Sequence, residues 1–193
     1  MALLVFGLVI FLGVHSIRIF AESGRARSMA RLGESGWKAV YGLLSLAGFV
    51  MIVYGFGEAR ATASILWAPP IWTRHIALLL MLVSMILLAA YGLKTSHIAV
   101  ALHHPMLWGV LVWSFAHLIA NGSSADVVLF GAFLVWSILD LRSCYARDRA
   151  NAVVYPAPNW GATIGAIVVG AVVWLAFLFG LHLWLIGVSP LAR

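Results

Sequence analysis

Residues 113–122 read WSFAHLIANG and place one ionisable side chain, that of His117, inside a segment apolar enough to lie in lipid. Placing a titratable side chain at that depth costs free energy. Such a side chain therefore usually faces other protein groups rather than lipid, and it usually has a functional role. His15 is placed in the same way inside the first apolar segment. Two such histidines on separate membrane helices indicate a haem or metal site.

The apolar character of this segment extends over the whole 193-residue chain, in which 64% of residues are hydrophobic and 9% are charged. A soluble domain carries about 25% charged residues. The composition therefore predicts an integral membrane protein in contact with the lipid bilayer. The formal net charge of +6 is attributed to membrane topology and anionic lipid, and nucleic acid is not expected as a partner.

Turn residues divide the chain into apolar stretches that approach or reach the length that a bilayer core requires, about 20 residues of helix. The tetrapeptide NGSS at 121–124 makes one tight link, and Pro105 and the prolines at 69–70 precede other stretches. We therefore expect an all-α, polytopic membrane helical bundle with about six transmembrane helices, in which residues 1–193 form a single integral membrane domain. The predicted spans cover about 2–20, 37–57, 72–92, 105–121, 125–141 and 161–186.

The distribution of Lys and Arg predicts the orientation of this bundle. Nine of the 12 basic residues follow the first, third and fifth spans, and the positive-inside rule assigns these loops to the cytoplasm. Both termini are then predicted to be periplasmic. The nine residues are Arg18, Arg25, Arg27, Arg31, Lys38, Lys94, Arg142, Arg147 and Arg149.

The face of the fourth span around His117 carries side chains that suit a haem site. Trp113 and Asn121 lie one turn before and one turn after His117, and Ser114 and Ala120 beside them are small. Asn121 could hold one ring nitrogen and leave the other to ligate, while Trp113 could form a flat wall for a porphyrin. The alternative is a core histidine that forms a hydrogen bond with a neighbouring helix.

The face of the first span that carries His15 ends in basic residues. Arginine forks match carboxylates, so these residues could pair with haem propionates. The alternative is that they anchor the chain to lipid headgroups. The arginines concerned are Arg18, Arg25, Arg27 and Arg31.

Two further histidines offer other ligand pairs. By the predicted topology, His75 and His182 lie near the outer face together with His117, whereas His15 lies nearer the cytoplasmic face. The depths of His15 and His117 could therefore differ by about 10 Å, at 1.5 Å per helical residue. The pairs His75–His117 and His117–His182 remain alternatives to His15–His117.

The remaining histidines and the single cysteine are assigned to loops. His97, His103 and His104 fall in one loop, where His104 before Pro105 is interpreted first as a helix cap and second as part of a site. Cys144 is assigned to another loop, and one cysteine excludes an internal disulfide. No motif for catalysis by side chains alone is present, so chemistry would need a cofactor.

Small residues at intervals of four mark the last span, as Gly161, Gly165, Ala166 and Gly170. This spacing lets membrane helices approach closely. It is interpreted first as packing within the bundle and second as the seam of a homodimer.

The chain resembles NnrU, a bacterial membrane family associated with denitrification, and is more distantly similar to the 15-cis-zeta-carotene isomerase of plants and cyanobacteria. The resemblance covers most of the first 140 residues, and its motifs are specific when taken in order. They are FLGVHS at 11–16 with Arg18, ARLGE at 30–34, WAP at 67–69, Arg74-His75, His104-Pro105, and residues 113–122 running on to Phe130-Gly131.

The resemblance implies a compact helical bundle and, from the isomerase branch, haem b held by histidines at the positions of His15 and His117. The NnrU branch implies a role in nitrite or nitric oxide respiration, with components of the respective reductases as partners. One departure concerns the cysteine that the isomerase branch carries one turn before its second histidine, because this chain has Ser114 there. Exchange of a His ligand for Cys is therefore not expected.

These observations predict a haem b-binding membrane protein that supports nitrite or nitric oxide respiration. Two alternatives belong to other classes. One is a haem-dependent cis–trans isomerase of a polyene such as zeta-carotene. The other is a haem-free accessory or assembly factor whose histidines are structural.

Overall fold

The structure, a computed structural model, describes residues 1–191, and the regular elements within that range are all helical. The only pairing of strand type in the same range is an isolated backbone bridge between Ile65 and Ser123. The helices are α1 (Ala2–His15), α2 (Ile17–Phe20), α3 (Glu22–Ala61), α4 (Ile71–Gly92), α5 (His97–Leu102), α6 (Pro105–Ala120), α7 (Ser124–Ala150), α8 (Trp160–Ala176) and α9 (His182–Ile186), with a π-helical turn at Phe177–Leu181 joining α8 to α9.

Four helical runs within residues 1–191 are long and apolar enough to cross a membrane. They are α3, α4, α7 and the continuous run Trp160–Ile186. The apolar helices α1 and α6, which correspond to the predicted first and fourth spans, have 14 and 16 residues and fall short of the roughly 20 that a bilayer core takes. The all-α membrane fold is confirmed, and the chain is a multi-pass membrane protein.

Large apolar side chains cover the outer faces of these helices. Phe6, Leu79 and Phe179, for example, are exposed by 63%, 65% and 73%. Such surfaces are unfavourable in water and favourable in hydrocarbon, so these side chains contact the lipid bilayer. This contact explains the high apolar content of the chain.

The chain divides into two units by its internal contacts. The first contains Met1–Ala68 and Asn121–Ser143, and the second contains Pro69–Ala120 and the chain from Cys144 onward. Helix α7 therefore contributes its longer first part to the first unit and its last turns to the second.

In the first unit, α1 packs antiparallel against α3 through glycines. A Cβ atom added to Gly48 would lie 2.7 Å from the Phe11 nitrogen, and one added to Gly7 would lie 2.7 Å from the Ile52 nitrogen. Side chains larger than hydrogen would separate these backbones, so the glycines allow the close approach.

The basic segment after the first span is helical, which corrects its assignment to a loop. Helix α1 ends at His15, α2 follows Ser16, and α3 begins at Glu22, well before the predicted start of the second span at about 37. Inside α3 the backbone leaves the helical region at Gly33, with φ 72° and ψ 168°. A residue without Cβ adopts this conformation without steric cost, so Gly33 separates a basic helical segment from an apolar one.

In the second unit, α4 packs against α6 and α8. The buried hydroxyl of Ser84 donates a hydrogen bond of 2.8 Å to the Gly109 carbonyl of α6. On the other side, a Cβ added to Gly170 of α8 would lie 2.5 Å from the Ile86 Cα, and one added to Gly165 would meet the Leu93 side chain. The small residues of the last span thus pack within the bundle, as the first of the two interpretations predicted.

Three local assignments are resolved by the structure. The NGSS link is a tight connection, in which Ser123 and Asp126 exchange hydrogen bonds at the start of α7. Cys144 lies within α7 and His97 begins α5, so the assignment of both residues to loops was wrong. Hydropathy detects only where an apolar span ends. Helix α7 extends beyond such an end and includes Cys144, whereas α5 begins outside the apolar spans, at His97.

Candidate functional site

The first unit surrounds His15 with aromatic rings. His15 lies half-buried in the last turn of α1, and its ring stacks on that of Phe11 with centroids 4.3 Å apart. The ring of Tyr41 from α3 lies 5.4 Å away, and that of Trp136 from α7 lies 6.1 Å away and perpendicular to the imidazole. Three helices therefore form an apolar, aromatic enclosure around one imidazole.

A backbone hydrogen bond sets the tautomer of His15. Nδ1 lies 2.7 Å from the carbonyl oxygen of Phe11, and because a carbonyl can only accept, Nδ1 carries the proton. In the neutral imidazole the lone pair then resides on Nε2, the nitrogen that would bind a metal. Support of one ring nitrogen by a carbonyl is the usual arrangement for a ligating histidine.

Two polar groups in the same unit are buried without a hydrogen-bond partner among the described residues. They are the indole nitrogen of Trp136, whose side chain packs by His15, and the hydroxyl of Ser45 on α3. A buried donor without an acceptor costs about 1–3 kcal/mol, so native proteins rarely keep one without a reason. The Trp136 N–H beside His15 is a donor suited to an acceptor that the protein atoms do not supply.

Two of the four predicted propionate partners, Arg18 and Arg25, are engaged with the same acidic side chain. Arg18 is 60% exposed, with Nε 4.0 Å from the Glu22 carboxylate, and Arg25 binds the same carboxylate through Nε and a terminal nitrogen. Exposed pairs of this kind contribute little stability, so these arginines can still reorient toward another anion.

His117 has the same backbone arrangement as His15. Its Nδ1 lies 2.9 Å from the Trp113 carbonyl four residues earlier, so Nδ1 carries the proton and the lone pair of the neutral ring is on Nε2. The rings of Trp113 and His117 have centroids 5.3 Å apart. Ser114, in contrast, is fully buried and donates to the Val110 carbonyl, so its hydroxyl faces its own helix rather than a ligand position.

The other predicted residues occupy different surroundings. The antiparallel packing of α4 with α6 and α8 puts His75 and His182 toward the same end of the second unit as His117. His75 is exposed, and Nδ1 of His182 lies 2.6 Å from the Val188 carbonyl. Asn121 belongs to the first unit and His117 to the second, so the predicted support of His117 by Asn121 stays a prediction.

His104 lies at the opposite end of α6 from His117. Its carbonyl accepts from Leu107 and Trp108 in the first turn of α6, so the residue does occupy the capping position. Its side chain, however, forms a hydrogen bond of 2.6 Å from Nε2 to Asp148 rather than capping the helix. Thirteen residues separate His104 and His117, about 20 Å along a helix, so the two histidines cannot share one small site.

The contact of His104 with Asp148 belongs to a cleft that sequence reasoning did not predict. The cleft has a volume of about 340 Å³. The Tyr155 hydroxyl also donates to Asp148, at 2.6 Å, and the Tyr155 ring stacks on the His103 imidazole with centroids 3.8 Å apart and planes inclined by 11°. The lining residues are Ala101, His103, Tyr145, Asp148, Arg149, Ala152, Val153 and Tyr155.

Backbone strain is concentrated in the same cleft. Within residues 1–191, the non-glycine residues with positive φ are His103, at 59°, and Ala152, at 46°, and both line the cleft. Such conformations cost of order 1–3 kcal/mol and are found most often at functional sites. Partial burial, with the hydrogen bond to Asp148, also raises the pKa of Tyr155 to about 12.

The described part of the chain contains no group of three or more His, Cys, Asp or Glu side chains arranged to hold a metal ion. The family model described as NnrU protein matches residues 3–190, nearly the whole chain. The chain belongs to the NnrU family.

No curated protein and no solved structure matches this NnrU-family chain. The predicted NnrU membership is confirmed, and the distant likeness to the isomerase stays a prediction. The cleft could have been suspected from two signals in the sequence of this family member. They are two adjacent histidines before a helix, His103 and His104, and a single carboxylate, Asp148, between Arg147 and Arg149.

Proposed function

We propose that this NnrU-family membrane protein binds haem b, which His15 and His117 would hold, and supports nitrite or nitric oxide respiration. The observation that carries the proposal is shared by the two histidines. Each donates from Nδ1 to the carbonyl four residues earlier, which leaves the lone pair of the neutral ring on Nε2. Neutral imidazole nitrogen of this kind is a common axial ligand of haem iron.

The surroundings of His15 fit a porphyrin in a further respect. Phe11, Tyr41 and Trp136 provide flat aromatic surfaces beside the imidazole. The indole N–H of Trp136 lacks an acceptor among the described residues, and a haem carboxylate would supply one. When bound, haem b would supply one-electron transfer.

The state of Ser114 favours electron transfer or haem handling over an isomerase that exchanges ligands. Ser114 replaces the cysteine of the isomerase branch, is fully buried, and donates to its own helix. Cys144 lies in α7 with its sulfur 2.9 Å from a terminal nitrogen of Arg147. The link to denitrification is supported by the NnrU family, and the reductase partners and the inner-membrane location belong to the same proposal.

A visible absorption spectrum of the detergent-purified protein, oxidised and dithionite-reduced, tests the haem proposal. We expect a Soret band and sharp reduced α and β bands in the wild type. The bands should weaken or shift in both His15→Ala and His117→Ala. His97→Ala is the matched control, because His97 bonds to Thr163 and packs on Trp160, and its spectrum should equal that of the wild type.

The same spectra can also contradict the haem proposal. A featureless spectrum that added hemin does not change would overturn the haem proposal and support the haem-free accessory factor. The respiratory role is tested separately, by nitrite and nitric oxide consumption in a denitrifying bacterium that lacks its own NnrU protein. Complementation by the wild-type chain and not by His15→Ala is expected.

A further inference from the structure

The cleft of the second unit presents flat aromatic surfaces to a ligand. His103 and Tyr155 are nearly parallel, with centroids 3.8 Å apart, and Tyr145 lies 6.0 Å from His103. Planar rings stack favourably on such surfaces. A volume of about 340 Å³ is at the small end for a ligand pocket and matches a ring-sized group rather than a large molecule.

The polar atoms of the cleft define which hydrogen-bonding groups a ligand ring must carry. The hydrogen bonds from His104 and Tyr155 both end on Oδ2 of Asp148, so Oδ1 remains as an acceptor without a partner in residues 1–191. The ring nitrogens of His103 likewise form no hydrogen bond within the described chain. The cleft therefore suits a ligand that donates to a carboxylate and can also contact an imidazole.

The charge of the cleft argues against an anionic ligand. Asp148 contributes a carboxylate to the lining, and the one cationic lining residue, Arg149, is exposed. A phosphate or carboxylate placed against Asp148 would be repelled. A neutral ring with hydroxyl groups meets no such penalty.

The position of the cleft indicates how such a ring would arrive. It lies at the C-terminal end of α7, beyond the predicted span at 125–141. Val153 lines the cleft and its neighbour Val154 is 91% exposed. Apolar side chains left exposed at the end of a membrane helix are suited to the bilayer interface, so a lipid-soluble ligand has a route to the cleft.

From these observations we infer that the cleft binds the hydroquinone ring of a membrane quinol, stacked on the His103 and Tyr155 pair and donating one hydroxyl to Oδ1 of Asp148. The inference concerns binding only, and it does not rest on haem. A quinol combines the required features, since its ring is planar, neutral and carries hydroxyl donors, and its tail is soluble in lipid. The two residues of the cleft with positive φ, His103 and Ala152, are of the kind that clusters at ligand sites.

Calorimetric titration of the full chain in nanodiscs of phosphatidylcholine with decylubiquinol tests the inference. We expect saturable binding, and weaker binding of decylubiquinone, which lacks the hydroxyl donor. Asp148→Asn should weaken quinol binding by about tenfold, the loss expected for a hydrogen bond to a charged acceptor, and should abolish the preference for quinol. Glu34→Gln is the matched control, since Glu34 pairs with Lys38 on the exposed surface of α3.

A second variant guards against a folding defect in Asp148→Asn. His103→Gly removes the stacking ring at a position where glycine relieves the positive φ, and it should weaken quinol and quinone alike, by about fivefold. Equal binding of decylubiquinol by the wild type and both variants would overturn the inference. Displacement of decylubiquinol by an equal amount of phosphatidylglycerol would assign the cleft to a lipid headgroup and would also overturn it.

Discussion

The Asp148 carboxylate connects His104, which precedes α6, with Tyr155, which follows α7, because a single oxygen accepts hydrogen bonds of 2.6 Å from both. The partners of Asp148 therefore come from the two segments that border the cleft. Loss of either hydrogen bond would release the side chain of His104 or that of Tyr155. The imidazole of His103, which stacks on Tyr155 and precedes His104, would be released with them. The cleft geometry thus depends on one acidic side chain in an otherwise basic segment.

The first prediction concerns the titration of Tyr155. Partial burial, followed by the hydrogen bond to Asp148, raises the pKa of Tyr155 from 10.0 to about 12. Because the pKa is higher in the folded state, this interaction stabilises the fold fully below the unfolded value of 10.0 and is lost as the pH rises toward 12. The tyrosinate absorbance of the wild type minus that of Tyr155→Phe should therefore show a late-titrating group.

Replacement of the carboxylate separates the two causes of that shift. In Asp148→Asn the pKa of Tyr155 should return part of the way toward 10.0, because the charge is removed while the partial burial remains. Identical titration curves for the wild type and Tyr155→Phe above pH 10 would contradict the predicted late titration.

The second prediction compares two glycines of α3 in the first unit. A Cβ at Gly55 would lie 2.7 Å from the Leu4 Cα and 2.8 Å from the Leu3 carbonyl carbon, whereas a Cβ at Gly57 meets nothing within 4 Å. Gly55→Ala should destabilise the fold by about 1–3 kcal/mol through overpacking. Gly57→Ala should raise helix stability by up to about 1 kcal/mol.

Thermal unfolding in detergent, followed by circular dichroism, measures both glycine variants under one condition. The midpoint should fall for Gly55→Ala and stay equal or rise for Gly57→Ala. A Gly55→Ala protein as stable as Gly57→Ala would show that α1 and α3 do not approach through their backbones at this position.

The third prediction concerns the kink at Gly33. No neighbouring atom would meet a Cβ there, so the cost of Gly33→Ala is conformational, from φ 72°. We expect alanine to favour a helical φ and to straighten α3. Spin labels at Ala26 and Val50, in a Cys144→Ser background, should then move apart toward about 36 Å, the length of a straight helix of 24 residues.

The control for the kink is Gly42→Ala, since Gly42 lies inside the apolar part of α3 and its added Cβ also meets nothing within 4 Å. The label distance should be unchanged in that variant. An equal distance in the wild type and Gly33→Ala would show that the kink does not depend on glycine.

Hydropathy predicted the helical class and the long apolar helices, because lipid demands runs of apolar residues whatever their tertiary partners. It did not predict that α3 begins at Glu22, since a basic amphipathic helix has no apolar run to detect. Nor did it show the break at Ser16, where α1 stops although the apolar pattern continues to Phe20. Local backbone geometry decided both points.

The candidate site divides in the same way. His15 and His117 stand out in sequence because ionisable groups are rare in apolar segments, and the carbonyl bonds that fix their tautomers are local, four residues back in each helix. The contact of His103 with Tyr155 joins residues far apart in the chain, and nothing in the local pattern of Tyr155 marks it. Tertiary structure was needed to bring that pair together.

The last prediction uses the indole of Trp136 to separate a ligand site from an ordinary core. The indole nitrogen is buried, and no atom of the described chain accepts its hydrogen. In protein freed of any ligand, Trp136→Phe should therefore keep the thermal midpoint or raise it, because it removes an unsatisfied donor whose burial costs about 1–3 kcal/mol while retaining an aromatic ring.

If an acceptor on bound haem satisfies this N–H, the same substitution should weaken hemin binding by about tenfold in a spectrophotometric titration. Trp160→Phe, at a 68% exposed position in the other unit, is the matched control and should leave hemin binding unchanged. Equal hemin affinities in the wild type and Trp136→Phe would show that the indole does not face the ligand.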